Sequence, residues 1–155
     1  MLQGTIIGII LALYALAKIY HGKEKGAYSE SYGIISVIVA SVIYVLTCEY
    51  VITEWSINNR IVLFVAIYIV AAFVLRLMFI NLKYKAEFAV TTSDSIIGAI
   101  FGLITGAINV YAFLSCIYVW AEYDEGITQI INAMSGTITY NMITNNPVIG
   151  LVYSL

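Results

Sequence analysis

The segment Ile61-Val62-Leu63-Phe64-Val65-Ala66-Ile67-Tyr68-Ile69-Val70-Ala71-Ala72-Phe73-Val74-Leu75 runs fifteen residues without a charge. Only Arg76 carries one before Lys83 is reached. A helix crosses the hydrocarbon core with roughly 17–25 mostly apolar residues, so the stretch from Ile61 to Lys83 suffices for one span. A membrane barrel would instead show alternating segments of about ten residues. The unbroken run decides for a helix.

Three more apolar stretches flank it, and the spans are expected at about 5–20, 30–51, 61–83 and 95–120. The first ends in the polar turn His21-Gly22-Lys23-Glu24-Lys25-Gly26, and the fourth opens at Thr91-Thr92-Ser93-Asp94-Ser95. The only proline is Pro147, so long helices are permitted nearly everywhere else. The connections are short, which predicts that helices adjacent in sequence pack antiparallel in one bundle. Residues 1–125 thus read as a four-helix transmembrane domain.

Composition agrees. The chain has 155 residues, 62% hydrophobic and 10% charged, with a mean hydropathy of +0.96. A soluble domain carries about 25% charged residues. The net charge of −2 and the lack of a basic cluster exclude a general attraction to nucleic acid. The first apolar run has no basic region before it and no small-residue cleavage site after it, so it is expected to remain as a span.

Charge also orients the chain. Lys18, Lys23, Lys25, Arg76, Lys83 and Lys85 fall on one side, and Arg60 alone on the other. Basic residues are retained in the cytoplasm, which puts the first and third loops inside and both termini outside. Glu49, Glu54, Glu122, Asp124 and Glu125 then lie outside. Tyr50, Trp55, Tyr118, Trp120 and Tyr123 gather at that outer interface, where amphipathic rings settle. From Gly126 to Leu155 no residue is charged. Ile127, Ile130, Ile131, Met134 and Ile138 recur at helical spacing, which predicts that 126–155 form an uncharged amphipathic helical segment on the outer side, lying on the membrane surface or capping the bundle. Gly136 and Asn145-Asn146-Pro147 limit its length, and Pro147 can start a last short segment.

The most specific local pattern is Asp94, Gly98, Gly102 and Gly106, each four residues from the last and therefore on one helix face. Thr105 and Asn109 extend that face. Asp94 suits a helix start, where it can accept from free backbone N–H groups. The glycines make a groove for another backbone. Packing within the monomer, packing between subunits and the lining of a pore all remain open for this face. Gly4 and Gly8 repeat the spacing and are a candidate partner. Arg76, inside an apolar run, either pairs with Asp94 or Glu30 or reaches for the interface along its own stem.

Catalytic signatures are absent: there is no HExxH, GxSxG or phosphate-binding loop. With one histidine and two cysteines, Cys48 and Cys116, neither a metal site nor a disulfide framework is expected. No cofactor is implied.

Two of these places carry a resemblance. Lys25-Gly26-Ala27-Tyr28-Ser29-Glu30 has a basic residue, a glycine and, four residues on, a glutamate. Asp94-Ser95-Ile96-Ile97-Gly98-Ala99-Ile100-Phe101-Gly102-Leu103-Ile104-Thr105-Gly106 has an aspartate followed by glycines at intervals of four. In both, and in the order of its elements, the chain resembles the colicin V production protein family (CvpA) of bacterial inner-membrane proteins. Thr105 stands where the family often has a bulky or basic residue, and the tail is short and uncharged. The resemblance implies a non-enzymatic accessory role in bacteriocin production or export and in envelope homeostasis. Its partners would be the lipid bilayer and either further copies of itself or other membrane proteins. The alternative is a small homo-oligomeric channel or transporter.

Overall fold

A computed structural model describes residues 2–50, 55–86 and 90–155. Val51, at the end of the second expected span, and Glu54 lie outside the described residues, as do the side chains of Tyr50, Lys83 and Lys85. Every element described is helical: α1 (Leu2–Glu30), α2 (Tyr32–Tyr50), α3 (Ile57–Ala86), α4 (Thr92–Ala121), α5 (Glu125–Ala133), α6 (Ile138–Thr144) and α7 (Pro147–Ser154). The first four are long and apolar enough to cross a membrane. The chain is an all-α membrane protein.

Helix α1 outruns the expected first span. His21 to Lys25 continue the helix, because at a water boundary a helix needs no apolar stripe and Lys and Glu are good helix formers. The break comes at Gly26, with φ 81° and ψ 169°. That backbone region is essentially restricted to glycine. A short helical piece follows to Glu30, and Ser31 joins it to α2.

Sequence neighbours do not all pair. Helix α1 packs chiefly on α4, and α2 on α3, while α1 and α2 barely touch. The expectation of antiparallel neighbours therefore fails for α1 and α2. Gly22 and Gly26 of α1 meet the glycine face of α4, whereas bulky side chains join α2 to α3. In the α2–α3 half, Ala40, Tyr44, Ile61, Phe64, Val65 and Tyr68 form a buried apolar cluster. The rings of Tyr44 and Phe64 meet edge to face, 5.5 Å apart.

The tail is three short helices, broken around Gly136 and before Pro147 where the sequence sets its limits. Thr137 caps α6, and Asn146 caps α7 with Pro147 at its first turn, as suits a residue without a free N–H. Helix α6 packs on α1 and α4, and α7 on α3 and α4. Asn146 is buried, and its amide donates to the Tyr111 carbonyl (2.9 Å) and to Ser115 Oγ (3.0 Å). Tyr111 lies ten residues before the end of α4, about 15 Å along its axis. The turn between α6 and α7 therefore sits back in the bundle against α4. Non-helical backbone at that depth is tolerated only where protein supplies its hydrogen bonds. An uncharged composition suits this position as well as it suits a surface helix.

Candidate functional site

The glycine face of α4 meets the second half of α1, and the two run antiparallel. Gly106 lies against Ala15 and Lys18, Gly102 against Lys18 and Gly22, and Gly98 against Gly22 and Gly26. A methyl group on Gly22 would overlap the Gly98 carbonyl, and one on Gly102 would overlap the Lys18 carbonyl. The contact is backbone on backbone, the arrangement that small residues permit in membranes. Along Gly98, Gly102 and Gly106 this face is covered by α1 of the same chain. Gly4 and Gly8 do not take part. They face α6, where Thr139 Oγ1 donates to the Gly4 carbonyl (2.7 Å).

Asp94 and Ser95 repair the break at Gly26. In an unbroken helix the Ala27 N–H would bond the Lys23 carbonyl. Here the Ala27 N–H bonds Asp94 Oδ1 (2.9 Å), and the Lys23 carbonyl accepts from Ser95 Oγ (2.7 Å). One dipeptide at the start of α4 thus replaces both halves of the lost bond. Asp94 caps a helix, as expected, but the helix is the restarted piece after Gly26. The start of α4 itself is capped by Thr91, whose Oγ1 accepts from the Asp94 N–H (3.2 Å).

Beyond the break the chain turns back inward and buries Glu30, which is 1% exposed. Its carboxylate holds Lys18 Nζ at 3.4 Å and His21 Nε2 at 3.6 Å. Lys18 also donates to the Tyr32 hydroxyl (2.9 Å) and lies over the Tyr32 ring. Thr105, fully buried, donates to the Glu30 carbonyl (3.2 Å) and fills the space that a side chain on Gly33 would need. One layer further into the bundle, the Tyr68 hydroxyl donates to Asn109 Oδ1 (2.6 Å) and Asn109 Nδ2 donates to the Tyr14 hydroxyl (2.8 Å). Helices α1, α2, α3 and α4 all contribute to this polar core. Lys18 precedes Gly26 by eight residues, about 12 Å along α1, so the Lys18–Glu30 pair lies inward of the Gly26 turn.

Asp94, Gly26, Glu30, Gly98, Gly102, Gly106, Thr105 and Asn109 are therefore brought together, although 64 residues separate Glu30 from Asp94 in the chain. Arg76 is not among them. It is exposed on α3 and pairs with neither Asp94, which serves Ala27, nor Glu30, which is held by Lys18 and His21. Lys18, His21, Gly22, Tyr14, Tyr32 and Tyr68 are site residues that the sequence reading missed. Their signal was present: Tyr14, Lys18 and His21 fall at i, i+4 and i+7, on one face of α1. Gly22 and Gly26 also repeat the four-residue spacing of α4. No group of three His, Cys, Asp or Glu side chains suited to a metal occurs among the described residues.

Comparison with known proteins adds nothing to this geometry: no protein-family model, no curated protein and no solved structure matches the chain.

Proposed function

We propose that the chain is a non-enzymatic membrane accessory protein of the CvpA type, acting in bacteriocin production or export and in envelope homeostasis from the bacterial cytoplasmic membrane. One observation carries the reading. The two motifs on which the resemblance rests, far apart in sequence, meet at a single junction where Asp94 caps the backbone released at Gly26. A shared motif that builds one structural device is better support than two short likenesses. In this reading the α1–α4 junction sets the shape that a partner helix recognises. The first and third loops lie in the cytoplasm and the termini outside, with Lys23 and Lys25 among the residues that orient them. Lys18 does not belong in that count, since it points into the bundle. Helix α5, with Gln129 and Asn132 exposed and Ile131 buried, is the part of the tail that lies at the outer surface.

The test is replacement. Expressed in a bacterium whose own CvpA-type protein is deleted, the chain is expected to restore colicin V release, and Gly102→Leu is expected not to. Full expression in the membrane without restored release contradicts the reading.

A small transporter is the second reading. Ionisable side chains inside a span commonly mark ion or proton paths, and broken helices near mid-membrane recur in transporters. The Lys18–Glu30–His21 cluster and the α6–α7 turn buried against α4 are the observations that favour it. Flux into proteoliposomes that Asn109→Leu abolishes would place this reading first.

A further inference from the structure

Glu30 faces two basic side chains that differ in access. Lys18, on Oε2, has a side chain only 14% exposed, whereas His21, on Oε1, is 41% exposed. The other groups around the carboxylate are the Tyr32 phenol on α2 and the Thr105 hydroxyl on α4, which holds the Glu30 backbone. From α3, Tyr68 lies within electrostatic reach of Tyr32. One cation is enough for a structural ion pair. A second, titratable base on the open side gives the same carboxylate a route for exchanging protons with solvent.

The geometry points to Glu30 as a proton-carrying site inside the membrane, with His21 as the group through which the proton arrives from the end of the bundle that holds the Gly26 turn. In the transfer, the N–H bond at imidazolium Nε2 breaks and an O–H bond forms at Glu30 Oε1. His21 is left neutral and takes its next proton from water. Lys18 keeps its proton and loses its counter-ion, retained by the Tyr32 hydroxyl at 2.9 Å and the Tyr32 ring at 5.4 Å. Because Lys18 and His21 precede the Gly26 break and Glu30 follows it, neutralising Glu30 weakens the tie between the two parts of α1. Proton loading thereby becomes a change in how α1 is held. This goes beyond both functional readings and could serve either.

Infrared difference spectroscopy of the full chain in lipid vesicles tests it. Acidification is expected to raise a protonated-carboxyl band that shifts in D2O and is missing in Glu30→Gln. His21→Gln should keep the band but slow its hydrogen–deuterium exchange by about 100-fold, the scale of a lost acid–base relay. Added imidazole should restore the rate in His21→Gly, which a purely structural role would not produce. If Glu30→Gln misfolds because Lys18 is left unpaired, Lys18→Met combined with Glu30→Gln removes both charges and provides the band-free control. A band unaffected by Glu30→Gln, or exchange unchanged in His21→Gln, overturns the proposal.

Discussion

Helices α1 and α4 are joined by backbone and hydrogen bonds, and α2 and α3 by side chains. Where α1 crosses α4 the contacts are Gly22 on Gly98 and Lys18 on Gly102, with no room for a methyl group. Between α2 and α3, Tyr44, Phe64 and Val65 interlock, and a cleft lined by Val39, Ile43, Ala66 and Val70 stays open toward the lipid side. Lipid tails are as apolar as leucine, so burying apolar surface adds little between membrane helices. Close approach and satisfied polar groups must hold the first pair. The second pair relies on shape, which tolerates small changes. The polar core collects at the first pair, where α1 breaks at Gly26 and its freed backbone groups bond Asp94 and Ser95.

The largest expected effect follows directly. Gly22→Ala should destabilise the protein by about 3 kcal/mol or more, since its methyl group meets backbone that cannot move aside. Reversible unfolding in bilayers would measure this, and a loss below 1 kcal/mol would show that the two helices can separate cheaply. Gly26→Ala should cost about 2 kcal/mol from backbone strain alone, and more from the clash with the Asp94 carboxylate. Asp94→Ala removes the cap on Ala27 and should cost about 1 kcal/mol. Amide exchange at Ala27 should rise in that variant while exchange along α3 stays unchanged. In the other half, Ile61→Val, although fully buried, should also cost only about 1 kcal/mol. If Ile61→Val proved as harmful as Gly22→Ala, the contrast between the two pairs would collapse.

Much of this was legible in the sequence. Unbroken apolar runs marked the four spans, Pro147 marked the start of α7, and the spacing of Gly98, Gly102 and Gly106 marked one face. The partner of that face was hidden because Gly22 and Gly26 sit among Lys23, Glu24 and Lys25. Those charges signal a membrane edge, but a helix can pass through such an edge without changing its geometry. Lys18 was misread for a related reason: a lysine near a span end usually reaches for water, whereas this one is held by Glu30, twelve residues on but folded back beside it. Depth alone left Arg76 open between pairing and reaching for the interface, because depth does not say which way a helix face points. The amphipathic pattern of the tail left its place open between the membrane surface and the bundle, because a helix wedged against α4 displays that pattern equally well. Resolving these cases required knowing which helices touch, and that depends on contacts between residues far apart in the chain.

The pairing of α1 with α4 is most directly tested by a disulfide between Ala15→Cys and Gly106→Cys, in a chain with Cys48 and Cys116 replaced by serine. A β-carbon at position 106 would lie 3.6 Å from the Ala15 Cα, within reach of a disulfide. Oxidation in native membranes is expected to join the two cysteines within one chain, with no change in apparent oligomer size. Cross-links only between chains, or none under conditions that oxidise a control pair in α2 and α3, would contradict the account.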